Sequence, residues 1–158
     1  MYRCGEIMEE VNYLAEWFIR FLKNRDIYFK KIKNIEQKED LLIVEEKNRT
    51  VTYFLVAFTD DLKKLTKEMK PDQNYGLLLY NDDDNLDALL AAWSDLIKIR
   101  NLIVYFINPF SKLEKKWVVY PCTHDWISEK EALKTGLRAM FETVEPISKR
   151  SLMKIIKN

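Results

Sequence analysis

The sequence predicts a single α/β domain built on a mixed sheet of about six strands with flanking helices. Three observations carry that prediction. The 158 residues are one domain's worth of chain, and 47% of them are hydrophobic, enough to fill a core. The apolar periodicity switches between helical and alternating along the chain, in the order α-βββ-α-β-α-β-β-α. Two runs, 75–80 and 102–107, are almost continuously apolar, the pattern of strands covered on both faces.

The first helix is marked by Ile7, Val11, Leu14, Phe18 and Phe21 at alternating four- and three-residue spacing, and Asn24-Arg25-Asp26 ends it. A loosely alternating strand is expected over 27–35, a second over 41–46 after a polar turn, and a third over 50–58. The last of these is rich in β-branched and aromatic residues. Connections this short make the three an antiparallel meander. A second helix is expected from Thr59, an N-cap residue followed by Asp60 and Asp61, with Leu62, Leu65 and Met69 inward and Pro71 as its stop. Asp82-Asp83-Asp84 opens a third helix whose inner face is Leu86, Leu89, Leu90, Trp93 and Ile97. Residues 116–120 read as a further strand closed by Pro121. Ser128 and Glu131 form an S-x-x-E capping box for a last helix carrying Leu133, Leu137, Met140, Phe141 and Val144. Pro146 ends it, so 1–147 are expected as the domain and 148–158 as a basic C-terminal tail.

Composition excludes several classes. Lys and Arg number 26 against 25 Asp and Glu, a net charge of +1, so contact with nucleic acid would need a local patch rather than a global field. Three glycines and four prolines disfavour Gly-rich phosphate loops and turn-dense sandwiches. Cys4 and Cys122 lack CxxC spacing and His124 is the single histidine, which leaves neither a disulfide framework nor a zinc site, and no cofactor is expected. The opening MYRCGEIMEE has no signal-peptide core, and the apolar runs fall far short of the roughly 18 residues that span a bilayer. The expectation is a reduced, cytoplasmic protein with no membrane partner.

A helix, a three-stranded meander, a helix and a buried strand, together with an acidic residue opening the second strand, resemble the core of the restriction-endonuclease-like PD-(D/E)xK nucleases. The archaeal Holliday-junction resolvases belong to that group. The resemblance covers roughly residues 6–80. It implies an acid on the second strand and an acid-x-Lys on the third, which together hold Mg²⁺ and position the attacking water. Asp40 matches the first acid. The third strand reads Phe54-Leu55-Val56-Ala57-Phe58, without carboxylate or lysine, so the family's activity does not follow from the resemblance. Glu45-Glu46-Lys47 is an acid-x-Lys by letters, with Asp26 upstream, and makes Asp40 and Glu45 the candidate metal ligands; the alternative is a solvated turn.

Other constellations have ordinary structural readings. Asp82-Asp83-Asp84 suits a helix N-terminus, where carboxylates complement the dipole. Cys122, His124 and Ser128 have nucleophile-and-base letters, but the segment reads as a structural loop. Trp17, Trp93, Trp117 and Trp126 lie near apolar stripes and are expected in the core; stacking on bases would need aromatic rings exposed beside Arg or Lys. Basic residues cluster around the meander (Lys30, Lys31, Lys33, Lys38, Lys47 and Arg49, diluted by nearby acids) and near the C-terminus (Lys149, Arg150, Lys154 and Lys157). Of these, Lys30, Lys31, Lys33, Lys149, Arg150 and Lys154 are the candidate nucleic-acid contacts. The expected function is a non-catalytic binding or interaction module on a degenerate nuclease-like scaffold. It would contact nucleic acid, a nucleic-acid-associated protein, or a second copy as a homodimer. The alternatives are an active Mg²⁺-dependent nuclease with relocated acidic ligands and a regulatory protein of another kind.

Overall fold

Residues Cys4–Phe29 form helix α1. Its core face is Val11, Leu14, Ala15, Phe18 and Leu22, steps of three and four that keep one stripe against the sheet. The computed structural model describes residues 4–157; the side chains of residues 4–8, Cys4, Ile7 and Met8 among them, lie outside the described residues, and so does Asn158. The helix runs past the expected stop at Asp26. It ends at Lys30, whose φ of 50° turns the backbone left-handed and whose N–H donates to the Asp26 carbonyl at 2.8 Å. The Asp26 carboxylate accepts the N–H groups of Lys31 (2.7 Å) and Ile32 (3.2 Å), fixing the exit of the chain. The first strand, β1, is therefore Ile32–Lys38 and not 27–35. Ile27, Tyr28 and Phe29 imitate a strand in the sequence but close a helix, exposed to water.

Strands β2 (Leu41–Glu46) and β3 (Thr50–Ala57) complete an antiparallel meander, as expected. Every second residue of β3, namely Val51, Tyr53, Leu55 and Ala57, is buried in the cluster that α1 covers. Strands β4 (Asn74–Tyr80) and β5 (Asn101–Ile107) run parallel to β3, and β6 (Lys116–Val119) runs antiparallel to β5. The result is one mixed sheet in the order β1-β2-β3-β4-β5-β6. Gly76 of β4 faces Tyr53 across the β3–β4 register, and a Cβ there would fall inside the tyrosine ring, so only glycine admits this packing.

On the other face of the sheet lie the crossover helices. The helix expected from Thr59 is a single turn, α2 (Lys63–Thr66), because the Thr59 hydroxyl closes a tight turn on the Asp61 N–H (3.1 Å) instead of capping a helix. The expected third helix is two, α3 (Asp83–Ala91) and α4 (Trp93–Leu96), broken at Ala92. Pro121, read as a terminator, is the first residue of an unexpected helix α5 (Pro121–Ile127), where its missing N–H costs nothing. Helix α6 (Lys130–Phe141) buries Leu137 and Phe141. Its N-cap is Glu129 without a side-chain cap bond, so the Ser128–Glu131 capping box does not form. The Ser128 N–H instead closes α5 on the His124 carbonyl at 3.0 Å. The residues after Pro146 are no tail. Ser148 caps helix α7 (Lys149–Ile156), its Oγ accepting the Ser151 N–H at 3.2 Å, and Leu152 is fully buried in the α1 cluster.

Three buried asparagines join the layers. Asn81 donates from Nδ2 to the Val144 carbonyl (2.9 Å) and accepts the Trp117 indole N–H at Oδ1 (2.7 Å). Asn85 spans the ends of β3 and β4, and Asn108 donates to the Glu145 carbonyl at 2.8 Å. Each satisfies backbone groups that water cannot reach. No helix among the described residues is long and apolar enough to cross a membrane.

Candidate functional site

The nuclease-type ligands are not brought together. Asp40 sits exposed in the β1–β2 turn, where its carbonyl accepts the Leu55 N–H at 2.7 Å. Glu45 lies near the other end of β2, roughly 16 Å away at 3.3 Å per residue. Asp26 is occupied by two backbone N–H groups, and Glu46 is held by the Arg49 guanidinium at 2.9 Å. Strand β3 offers no carboxylate or lysine. Among the described residues no group of three or more His, Cys, Asp or Glu is arranged to hold a metal.

The C-terminal candidates are also apart. His124 turns Nδ1 toward the Tyr120 N–H at 2.9 Å, while the Asp125 carboxylate accepts the Trp93 indole N–H at 3.0 Å. The imidazole and its neighbouring acid thus serve separate local contacts, and no His–Asp pair forms. Trp117 is buried, as expected, but Trp126 is 90% exposed near the end of α5, and Ile127 after it is exposed as well.

A cleft of about 790 Å³ opens beyond the C-terminal ends of β3 and β4, with Phe58 and Asp60 on one side and Glu10, Lys149 and Arg150 on the other. Asp82 and Asp84 rim it from the start of α3, where the carboxylates were expected. Burial pushes the Asp82 carboxyl above the usual carboxylate range, and the Asp84 and Asp83 charges add to it. Glu10 is almost fully buried beneath this cleft, with the Lys149 ammonium 3.8 Å from its carboxylate. Lys149 is thereby turned toward the protein's own charge rather than outward.

The opposite end of α1 is different. Here Arg25, Lys30, Lys31 and Lys33 are joined by Lys47 and Arg49 of the β2–β3 turn, which is anchored by the Lys47 N–H on the Lys31 carbonyl (2.9 Å). Against these six cations stand Asp26, Glu45 and Glu46, two of them already engaged as described. Tyr28 is 87% exposed and Phe29 60% exposed, with the Lys31 ammonium 5.6 Å from the Phe29 ring centroid. The Arg25 guanidinium and the Lys116 ammonium lie 5.3 and 5.2 Å from the Phe21 ring. A concavity of about 280 Å³ is lined by Arg25, Phe29, Lys31 and Arg49, with Tyr53 beside them. Lys149, Arg150 and Lys154 take no part, since α7 meets α1 near Glu10, about 30 Å up the helix from Lys30 at 1.5 Å per residue. The two groups of candidate nucleic-acid contacts are therefore separate surfaces. The first also gains Arg25, Tyr28 and Phe29, which the expected strand over 27–35 concealed, beside Lys47 and Arg49, which the sequence already placed near the meander.

Comparisons with family models, with curated proteins and with solved structures find no match to this chain.

Proposed function

We propose that the protein is a non-catalytic binding module on a degenerate nuclease-like scaffold, acting in the cytoplasm and contacting nucleic acid through the end of α1. The element order supports the scaffold: a helix, an antiparallel meander, a helical turn and a buried strand parallel to the third. The non-catalytic reading is supported by β3, which carries apolar residues where a metal-holding acid and a charge-stabilising lysine would be required. The observation that carries nucleic-acid contact is the hollow that Arg25, Lys31 and Arg49 line beside exposed Phe29, with Lys30, Lys33 and Lys47 adjoining in the chain, in a protein whose overall charge is nearly balanced. A second reading, a protein partner or a second copy of this chain, is favoured by the exposed Trp126 and Ile127 at the end of α5.

The test is incubation of the purified protein with duplex, single-stranded and branched DNA in Mg²⁺ or Mn²⁺, alongside binding measured over a salt series. The expected result is no cleavage and binding that weakens steeply with salt, because phosphate contacts release counterions. Cleavage abolished by Asp40→Ala would contradict the non-catalytic reading, and no binding at low salt would move the function to the protein-partner surface.

A further inference from the structure

We infer that the end of α1 takes single-stranded nucleic acid, with unpaired bases stacking on Phe29 and on exposed Tyr28 and phosphates held by Lys30, Lys31 and Lys33. The inference rests on the nucleic-acid reading above and narrows it to one form of strand. In a duplex the base faces are hidden in the stack, and a protein meets only base edges and phosphates. An exposed ring beside a cation has a complementary partner only where bases are unpaired, since every base then presents a π-face and a neighbouring phosphate. Phe29 meets that requirement, with the Lys31 ammonium 5.6 Å from its ring, and Tyr28, 87% exposed, precedes it on the helix. The tryptophans do not. Trp117 is buried, and exposed Trp126 has the acids Asp125 and Glu129 as near neighbours in sequence.

Shape points the same way. Beside Phe29 the surface is concave, a hollow of about 280 Å³ walled by Arg25, Lys31 and Arg49. Of its two carboxylates, Asp26 is held by two backbone N–H groups and Glu46 is paired with Arg49. A cation-walled hollow beside a ring suits a base with its phosphate. A bilayer surface would instead favour an unbroken apolar face, whereas Phe29 here sits in a hollow with Arg25, Lys31 and Arg49.

The experiment is fluorescence anisotropy with labelled oligo(dT), oligo(U) and a DNA duplex of the same length, with sedimentation against phosphatidylserine-containing vesicles as the membrane arm. The probes are offered to the full chain and to its Tyr28→Ala/Phe29→Ala and Tyr28→Phe variants. Both rings are exposed, so the variants should keep the wild-type melting temperature. The expected result is tighter binding of both single strands than of duplex, a loss of about ten-fold or more in the double variant, and retention in Tyr28→Phe. The oligo(dT) and oligo(U) arms distinguish a DNA from an RNA source of the same chemistry. Equal binding of duplex and single strand, unaffected by the double variant, would overturn the single-strand inference and leave the broader nucleic-acid reading standing. Binding to vesicles alone, or to no probe, would overturn both.

Discussion

Asn85 lies fully buried behind the ends of β3 and β4, and its amide ties both strands. Nδ2 donates to the Ala57 and Tyr80 carbonyls at 2.8 Å each, and Oδ1 accepts the Thr59 N–H at 2.9 Å. Ala57 sits at φ 65°, where a residue with a Cβ is strained, and the β3–β4 register shifts between Leu55 and Ala57. The asparagine satisfies the backbone that this irregularity frees, and so it holds the chain at the rim of the large cleft. Asn85→Ala should cost about 2–4 kcal/mol, because the buried Ala57 and Tyr80 carbonyls and the half-buried Thr59 N–H lose the amide together. Urea denaturation reads this directly, and a cost below about 1 kcal/mol would mean that water replaces the amide. At the other end of the molecule Tyr28 is the contrasting residue. It adds little to the fold and is explained by what it would touch.

Helices whose sequence signals compete separate what the chain reveals from what it conceals. Ser128 has the letters of a capping box, but α6 starts at Lys130 and Ser128 finishes α5. Ser148 lies in an expected tail, yet its Oγ accepts the Ser151 N–H and starts α7. Ser148→Ala should therefore cost about 0.5–2 kcal/mol while Ser128→Ala stays near neutral. Thermal melting of the two variants compares them, and the reverse order would restore the capping box. Strands β2 to β5 were legible because burial on one or both faces writes alternation or a continuous apolar run. The C-terminal end of α1 was not, since exposed Ile27, Tyr28 and Phe29 carry strand-like chemistry without strand burial. Helix α7 was hidden because Leu152 is its one fully covered residue among lysines and an arginine. Part of the candidate site was legible for the same kind of reason. Lys30, Lys31 and Lys33 adjoin in sequence, whereas Arg49 joins them only through the β2–β3 turn, and the separation of Asp40 from Glu45 follows from the length of β2.

At the scale of the whole molecule, a net charge of +1 conceals an uneven surface. Carboxylates gather around the cleft at the C-terminal ends of β3 and β4, and an excess of cations over carboxylates gathers at the far end of α1. The helix holds the two poles about 30 Å apart, with a buried Glu10 facing Lys149 at one and bare lysines at the other. A phosphate backbone would be attracted to one pole and repelled from the other, giving a binding module a defined orientation without any chemistry. Charge reversal at each pole is the most direct measurement of that account. Lys30→Glu/Lys31→Glu should weaken binding of a labelled oligonucleotide about ten-fold or more and flatten its dependence on salt, while Lys154→Glu on α7 leaves both unchanged. Loss of binding in Lys154→Glu, with the Lys30→Glu/Lys31→Glu protein binding as wild type, would contradict it.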